Sequence, residues 1–307
     1  MTITKRTFLA VMSMTLPLVL GAGTALAGNA KVFGYAVQDL GNQYWVAVAN
    51  GVKDQAKTLG VDVVVMDART DAARELSNID DMIQKKVDAI LLSPWDANSG
   101  ANAVAAANKA KIPVFVLDIG VASGSIESLI VSDNLKGGRI AGEFVASKIP
   151  ANAEVAHISC QPGYVIPALR GQGFKEVMKE KGINIVASQT AESQRAKGMD
   201  VMQNILQAHP NLAAVFAEND EMALGAVEAI AAAGKSKQVL VVGFDGTGDA
   251  LASIKDGRMA ATVAQQPYEM GKLGVDTAVA LLNDGKKPEG ETYVPVKLIT
   301  SDTLPAK

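Results

Sequence analysis

Cysteine and histidine are scarce in this chain, and their scarcity removes several classes of chemistry. The 307 residues include one cysteine, Cys160, and two histidines, His157 and His209. A lone cysteine forms no disulfide within the chain, so the core must supply the stability. A catalytic thiol needs a neighbouring base, and a zinc site needs several ligands at regular spacing. We therefore expect no nucleophilic cysteine, no metal ion and no cofactor.

Nucleotide-binding and hydrolase motifs are also missing. Residues 243–248 are rich in glycine but lack the G-x-G-x-x-G spacing. The first strand–helix turn, residues 38–45, contains only Gly41, whereas a dinucleotide fold needs its close-approach glycines in that turn. There is no Walker A loop and no G-x-S-x-G elbow. The sequence thus predicts a protein that is not an enzyme.

An excess of basic charge is absent as well. The chain has 29 basic and 32 acidic side chains and a formal net charge of −3. A mildly acidic surface gives no electrostatic reason for nucleic-acid binding. Beyond the first segment, no apolar run approaches the roughly 18 residues of a membrane-spanning helix.

The first 27 residues have the pattern of a secretory signal peptide. Lys5 and Arg6 form a positive start, and an apolar stretch follows from Phe8 to Leu20. The small residues of Ala25-Leu26-Ala27 then fit a signal peptidase. The alternative is a membrane anchor, but the apolar stretch is too short to span a bilayer comfortably. We predict export, with cleavage after Ala27.

The remaining sequence alternates between strand-like and helix-like segments. Such repeats with short connections are typical of βαβ units and parallel sheets. The first series has strands Val32–Val37, Val61–Met66, Ala89–Leu92 and Val114–Leu117, with helices Tyr44–Leu59, Asp71–Lys85 and Ser99–Ala110 between them. The second has helices Leu135–Lys148, Ala168–Lys181, Arg195–Ala208, Glu221–Ala233, Gly248–Lys255 and Tyr268–Leu282, with strands Val155–Ser159, Asn184–Ser188, Ala213–Ala217, Val239–Phe244, Ala260–Ala264 and one near Val294–Ile299. We predict an α/β protein of two doubly wound parallel-sheet domains with a cleft between them.

Polar clusters follow two neighbouring strands of the second series. Glu218-Asn219-Asp220 follows one strand, and Asp245-Gly246-Thr247 follows the next. Ligands of open parallel sheets bind beyond the carboxyl ends of the strands. Asn219 and Asp245 are therefore expected on one rim, as an amide and a carboxylate aimed at the same hydroxyl-rich small molecule.

Other polar residues have comparable positions. Asp118 ends a strand of the first series, where a carboxylate can accept bonds from vicinal hydroxyls worth about 1.5–3 kcal/mol each. Its alternative role is a loop cap. Arg170 is either a cleft donor or part of a surface ion pair, and Gln265 ends a strand as both donor and acceptor. In the first strand–helix turn, Tyr44 and Trp45 either cover the faces of a sugar ring or, for one of them, pack into the floor between the domains.

Several longer segments, in this order, resemble the periplasmic ribose-binding protein family. They include Ser132-Asp133-Asn134, Gly137-Gly138, Val201-Met202-Gln203-Asn204, Phe216–Gly225, Val242–Thr247 and Ala261–Gln265. The match runs from about residue 30 to 300. It implies a type I binding protein with a three-crossing hinge near Asp133, Gln265 and Val294. Its lobes would comprise residues 28–132 with 266–292, and residues 133–265 with 293–307.

The resemblance also implies a ligand site, a cellular location and partners. The protein would be a periplasmic monomer that passes a sugar or polyol to the membrane permease of an ABC importer, and to a chemoreceptor in some members. The implied ligand contacts are Asn42, Tyr44, Trp45, Asp118, Arg170, Asn219, Phe244, Asp245 and Gln265.

Two positions depart from the ribose-binding pattern. The family has an arginine directly after the cleft aspartate, where this chain has Ile119, and an aromatic residue where this chain reads Glu192-Ser193-Gln194. A missing guanidinium removes up to five donors, and buried ligand hydroxyls are costly to leave unpaired. The departures argue against ribose itself and favour a deoxy sugar, a differently configured pentose or hexose, or a linear polyol.

Three other functions remain open at this point. A chemoreceptor ligand-binding protein without a transport role has the same sequence features. A sugar-responsive transcription regulator would need an N-terminal helix-turn-helix with basic residues, where this chain has its signal-like segment. An exported enzyme would need a base, a metal cluster or an elbow motif.

Overall fold

The computed structural model describes Thr2, residues 30–162 and residues 165–304. The strands are β1 (Val32–Val37), β2 (Asp62–Asp67), β3 (Ala89–Ser93), β4 (Val114–Leu117), β5 (Ser128–Ser132), β6 (Glu154–Ser159), β7 (Asn184–Thr190), β8 (Ala214–Ala217), β9 (Leu240–Asp245), β10 (Ala261–Ala264), β11 (Glu291–Val294) and β12 (Lys297–Thr300). The helices are α1 (Gln43–Leu59), α2 (Ala72–Gln84), α3 (Ala97–Lys109), α4 (Asn134–Lys148), α5 (Val165–Glu180), α6 (Arg195–Ala208), α7 (Asp220–Ala232), α8 (Gly248–Lys255) and α9 (Pro267–Asp284), followed by a 3-10 turn at Ser301–Thr303.

The strands form two six-stranded sheets of matching order. The first runs β11-β5-β4-β3-β1-β2 and the second β12-β10-β9-β8-β6-β7. All pairs are parallel except β10 with β12, which is antiparallel. We call the first sheet with α1–α3 and α9 the first lobe, and the second sheet with α4–α8 the second lobe. The predicted α/β class with two mostly parallel sheets is confirmed.

The chain crosses between the sheets three times. It leaves the first sheet after β5, leaves the second after β10, and passes from β11 of the first sheet to β12 of the second. The predicted crossings near Asp133, Gln265 and Val294 fall at these points. The exact residues at which the two predicted lobes begin and end stay a prediction. The sheets show which strands belong together, but they do not assign the residues of the connecting segments.

Helices cover both faces of each sheet, as the apolar strands require. In β1, Phe33 and Tyr35 belong to a cluster with residues of α1 and α9, whereas Ala36 belongs to a cluster with residues of α2 and α3. Neighbouring side chains of a strand point to opposite faces, so one strand contributes to two cores. Tyr35 is fully buried, and its hydroxyl pairs with Ser93 Oγ at 3.0 Å.

Polar residues at the strand ends also start the following helices. Asn42, Asp96, Asn219 and Thr247 each accept a hydrogen bond from a backbone N–H of the first helical turn. These bonds satisfy donors that a helix start leaves unpaired. Each cap fixes the position of its own turn, and the turns lie at the carboxyl ends of the strands.

Two features differ from the sequence prediction. Strand β5 was not predicted, because its apolar run Leu129–Val131 is short and has a serine on each side. The predicted terminal strand Val294–Ile299 was wrong, because it is two strands in different sheets. Pro295 lacks a backbone N–H and directly follows β11, which ends one ladder before the chain crosses.

The predicted signal peptide, with Lys5, Arg6 and the cleavage point after Ala27, lies outside the described residues. Within residues 30–162 and 165–304, none of the helices combines the length and the apolar character that crossing a membrane would require.

Candidate functional site

The candidate site lies where the carboxyl ends of the two sheets meet the crossing segments. Tyr44 and Asp118 come from the first lobe, after β1 and β4, whereas Arg170 and Asp245 come from the second lobe. Gln265 lies on the crossing that follows β10. The five side chains form one network of hydrogen bonds, described below pair by pair.

Tyr44 and Asp118 form the first-lobe part of the network. The Tyr44 hydroxyl lies 2.9 Å from Asp118 Oδ1 and 3.2 Å from Gln265 Oε1, and it donates its proton to one of these two acceptors. Burial raises the pKa of Asp118 to about 6, although the Tyr44 hydrogen bond and the Arg170 charge act in the opposite direction. Burial and the Asp118 charge also raise the pKa of Tyr44 well above its usual range, so the phenol is a proton donor at neutral pH.

Arg170 is the cation of the site and is held on several sides. Its Nε donates to Asn134 Oδ1 at 2.7 Å, and its Nη1 donates to the Glu218 carbonyl at 2.8 Å and to Asp245 Oδ1 at 3.0 Å. Its guanidinium carbon lies over the Phe244 ring, 3.9 Å from the ring centre, in a cation–π contact. Arg170 is 7% exposed, so it does not form the surface ion pair that was the alternative, and its role as a donor to a ligand stays a prediction.

Asp245 receives two donors on one oxygen. Arg170 Nη1 and Gln265 Nε2 both reach its Oδ1, the latter at 2.8 Å. Burial raises the pKa of Asp245, and the nearby Arg170 charge opposes that rise. Its second oxygen, Oδ2, accepts no hydrogen bond from the described residues. A ligand hydroxyl can therefore donate to Oδ2 without displacing an internal bond.

Gln265 connects the two lobes. Its Oε1 accepts from Ser132 Oγ at 2.6 Å at the end of β5, close to the Tyr44 hydroxyl. Its Nε2 donates to Asp245 of the second lobe. The amide thus joins the first-lobe carboxylate, through Tyr44, to the second-lobe carboxylate.

The aromatic pair does not have the geometry of a sugar sandwich. The Tyr44 and Trp45 rings meet edge to face, with centroids 4.8 Å apart and planes at 84°. No ligand ring fits between rings in direct contact. Trp45 is 5% exposed within the first-lobe core, whereas the Tyr44 hydroxyl reaches Asp118. The alternative in which one of the pair packs into the protein is therefore the arrangement observed.

Three further predicted residues have roles that the sequence did not specify. Phe244 has no exposed surface, and the face of its ring packs against the Arg170 guanidinium and supports it from the protein interior. Asn42 and Asn219 use their side-chain oxygens as helix caps. The Asn219 amide nitrogen has only a weak bond, 3.5 Å to the Ser193 carbonyl, and remains a suitable ligand donor. As ligand contacts, all nine residues remain predictions.

The two departures from the ribose-binding pattern lie on either side of the network. Ile119 follows Asp118 and packs against the first-lobe core, where it offers no polar atom. Ser193 donates to Gln161 Oε1 at 2.7 Å in a turn where both Glu192 and Ser193 have positive φ.

Sequence reasoning missed three residues that hold the site together. Ser132 binds Gln265, while Asn134 and Glu218 hold Arg170. Their signal was present, because each stands in a polar cluster at a strand end. Glu218 is also paired with His157 at 3.0 Å, and both side chains are buried in the second lobe.

The network therefore presents two carboxylates and one guanidinium, with donors and acceptors on the same surface. Within the described residues no group of three or more His, Cys, Asp or Glu side chains is placed to hold a metal ion. Asp118 and Asp245 both keep an oxygen without an internal partner, and Arg170 Nη2 donates to no described residue. This arrangement suits a neutral ligand that both donates and accepts hydrogen bonds.

The fold and cleft define a two-lobed α/β solute-binding protein. The family model for the periplasmic binding protein domain matches residues 33–287, and the chain belongs to this family. The resemblance to ribose-binding proteins is confirmed by curated relatives. Ribose import binding protein RbsB of Bacillus subtilis is 44% identical over 276 residues, which cover 89% of this chain and 89% of that protein.

Further relatives extend the similarity to other sugars. RbsB of Escherichia coli K12 is 42% identical over 263 residues, 86% of this chain and 88% of the relative. The D-allose-binding periplasmic protein of the same organism is 34% identical, over 84% of this chain and 86% of its own length. Among solved structures, a periplasmic ribose ABC transporter protein from Conexibacter woesei has a TM-score of 0.87 at 28% identity, covering 90% of this chain and 93% of that one. A solute-binding protein from Actinobacillus succinogenes with bound D-allose has a TM-score of 0.79 at 29% identity, covering 89% and 98%.

Proposed function

We propose that this protein binds one neutral monosaccharide or polyol in the cleft and delivers it to the membrane permease of an ABC importer. The observation that carries the proposal is the pair of carboxylates, Asp118 and Asp245, contributed by opposite lobes and connected through Gln265. Each keeps one oxygen for a ligand hydroxyl. A carboxylate that accepts from a hydroxyl forms a charge-assisted bond, stronger than a bond between neutral groups.

The charges and hydrogen-bonding groups of the site together favour a neutral ligand. Two carboxylates face a single guanidinium, and Arg170 is already paired with Asp245. An anionic ligand would meet an excess of negative charge, and a cationic group could not accept from Arg170 Nη2. A polyhydroxylated ligand can donate to the carboxylates and accept from Arg170 and Asn219.

The relatives support the same class of ligand and the same transport role. Their names include ribose import binding and D-allose binding, and a solved neighbour from Bacillus halodurans carries bound myo-inositol. The relatives are binding proteins, which agrees with the prediction of a protein without catalytic activity. Import binding appears in their names, so transport is favoured over a chemoreceptor role without transport.

In the proposed mechanism, the ligand joins the lobes. Each lobe supplies part of the contact surface, so the ligand binds the closed arrangement more tightly than the open one and shifts the population towards it. Hinge motion at the three crossings brings Asp118 and Asp245 to opposite sides of the ligand. The importer then recognises the closed form.

The direct test is isothermal titration calorimetry of the purified protein. The panel comprises D-ribose, D-allose and myo-inositol as neutral polyols, with L-glutamate and choline as charged ligands. We expect saturable binding of at least one neutral polyol and none of the charged ligands. Binding of only charged ligands, or of no neutral polyol in a broader panel, would contradict the proposal.

Site variants locate the binding event. Asp118→Ala and Asp245→Ala should each abolish measurable binding while the circular dichroism spectrum stays that of the wild type. Asp249→Ala is the matched control, because its carboxylate is 69% exposed and pairs with Arg195 on the surface of the second lobe. Wild-type affinity in Asp118→Ala or Asp245→Ala would remove that residue from the site.

The periplasmic location follows from the family and from the proposed signal peptide. Secretion of the full chain should yield a mature protein that begins at Gly28. Intact mass and N-terminal sequencing of the exported protein check the cleavage point. A protein that retains residues 1–27 would favour the membrane-anchor alternative.

A further inference from the structure

The turn that carries Asp245 has an unusual backbone. Asp245 has φ 120° and Gly246 has φ 77°, so two consecutive residues lie at positive φ. For a non-glycine residue, φ 120° lies in a sparsely populated region, and such a conformation costs about 1–3 kcal/mol. It persists only when neighbouring groups hold it in place.

Two buried side chains hold this turn. Thr247 N–H donates to Asp220 Oδ2 at 2.7 Å, and Gly246 N–H donates to Thr262 Oγ1 at 3.3 Å. The Thr262 hydroxyl in turn donates to Asp220 Oδ1 at 2.7 Å. Asp220 and Thr262 therefore satisfy two successive backbone donors of the turn, and each also bonds the other.

Both side chains are committed to this arrangement. Asp220 and Thr262 have no exposed surface, so neither touches the ligand. Both Asp220 oxygens are used, and Asp220 is the first residue of α7, where the helix dipole favours negative charge. Burial and the neighbouring Asp245 charge raise the pKa of Asp220 to about 7.

Two glycines leave the space that this cluster needs. A Cβ at Gly243 would lie 2.3 Å from Asp220 Oδ1, and a Cβ at Gly246 would lie 2.5 Å from the Ala264 Cβ. The carboxylate therefore occupies space that any other residue at position 243 would fill. The glycines and the two polar side chains act together on one turn.

We propose that Asp220 and Thr262 are positioning residues for ligand binding, since they hold the Asp245 turn in its strained conformation and so aim the Asp245 carboxylate at the cleft. The inference rests on the proposed function, because it assigns an indirect role in the same site. The alternative is that the cluster only stabilises the second lobe. The two roles differ in whether affinity falls beyond any loss of stability.

Thr262→Val is the principal variant, because valine has nearly the same shape and lacks the hydroxyl. The ligand is whichever of D-ribose and D-allose binds the wild type more tightly. We expect the affinity of the variant for this sugar, measured by calorimetry, to fall at least 10-fold. Thr262→Ser restores the hydroxyl and should return the affinity to within about 3-fold of wild type, the scale of a fraction of a hydrogen bond. Ser128→Ala is the matched control, because it removes a fully buried hydroxyl of the first lobe whose side-chain hydrogen-bond partner among the described residues is Thr292. It should lower stability without changing affinity.

A crystal structure of Thr262→Val supplies a readout that needs no ligand. We expect Asp245 to leave positive φ or its carboxylate to move away from Arg170 Nη1. If the wild type binds neither of these sugars nor any other neutral polyol but the variant turn relaxes, the proposed ligand class fails and the positioning role stands. Should Thr262→Val not fold, Asp220→Asn replaces it, since asparagine keeps one acceptor for Thr247 N–H and loses the acceptor for Thr262. Wild-type affinity together with an unchanged turn in the folded variant would overturn the inference.

Discussion

Asp118 belongs to the first-lobe part of the network, and burying its charge there lowers the stability of the folded protein. A carboxylate with a pKa of about 6 in the folded protein, against 3.8 as its ordinary value, binds protons more readily when folded. Its ionised form is therefore less favourable in the folded state than in the unfolded state. The contribution of Asp118 to the free energy of unfolding therefore falls as the pH rises from about 4 to about 6, and above that it no longer changes with pH.

We predict that Asp118→Asn makes the ligand-free protein more stable near pH 8 while abolishing sugar binding. The neutral amide avoids the desolvated charge and still accepts from the Tyr44 hydroxyl. The gain should be about 1–3 kcal/mol near pH 8 and should shrink as pH approaches 4. Urea unfolding at about pH 4, 6 and 8 measures it, with exposed Asp249→Asn as the control. A variant no more stable than wild type at pH 8 would refute the assigned cost.

Ile119 is the position at which a substitution should change the ligand specificity most directly. It follows Asp118 and presents only carbon atoms beside a site whose single cation is Arg170. We predict that Ile119→Arg raises affinity for D-ribose about 10-fold or more, because a guanidinium adds donors for ring hydroxyls. Ile119→Met, of similar volume, is the control and should leave ribose affinity within a few-fold of wild type. An arginine variant with unchanged ribose affinity in calorimetry would place specificity elsewhere, with the turn at Ser193 as the next position to change.

At the scale of elements, helices α4 and α5 approach so closely that only glycine fits at their contact. A Cβ at Gly138 would lie 1.9 Å from the Arg170 carbonyl oxygen, and one at Gly173 would lie 2.1 Å from the Leu135 carbonyl oxygen. The same contact places Arg170 on α5 within reach of Asn134 at the start of α4. The close packing of α4 against α5 therefore also determines the position of the Arg170 guanidinium.

We predict that Gly138→Ala destabilises the protein by about 1–3 kcal/mol or more and also weakens sugar binding, because the helices must separate beside Arg170. Gly248→Ala is the matched control. Gly248 also lies in a helix and has no atom within 4 Å of its added Cβ. The control should be neutral or slightly stabilising. Urea unfolding and calorimetry measure the two effects, and a Gly138→Ala protein with wild-type stability would contradict the packing argument.

The periodicity of apolar residues predicted helices and strands well where the apolar pattern extended over many residues. The helix ends agree closely because caps such as Asn219 and Thr247 have clear side-chain signals. Strand β5 escaped prediction because three apolar residues between serines give no periodicity. The family resemblance predicted a crossing near Val294, but the apolar pattern merged β11 and β12 into one strand, and their pairing with different sheets shows that the chain crosses between them.

Position at strand ends predicted the polar residues of the site but not the partners that orient them. Tyr44 and Trp45 look equivalent in sequence, yet one reaches Asp118 and the other enters the core. Which of two adjacent side chains faces a core depends on the helix phase relative to the sheet. Phe244 and Thr262 act from beneath the surface, and contacts of that kind depend on strand register, which the sequence does not state.

At the scale of the whole molecule, Gln265 is the polar link between the lobes. It accepts from Ser132 at the end of β5 and donates to Asp245 at the end of β9, so its amide contacts residues at the ends of both sheets. It lies on one of the three crossings, at which the proposed mechanism places the hinge motion. Closure and ligand contact therefore involve the same side chain.

We predict that Gln265→Leu weakens sugar binding about 10- to 100-fold and reduces the compaction that accompanies it. Leucine has a similar volume but leaves Ser132 Oγ without its acceptor and removes one donor from Asp245, a loss of about 1–3 kcal/mol in total. Calorimetry measures the affinity, and small-angle X-ray scattering with and without saturating sugar measures the change in radius of gyration. Gln172→Leu, on the surface of α5 where Gln172 bonds only Glu176, is the control and should behave as wild type in both measurements. Full compaction with unchanged affinity in Gln265→Leu would show that the ligand alone joins the lobes and that the hinge amide contributes nothing to closure.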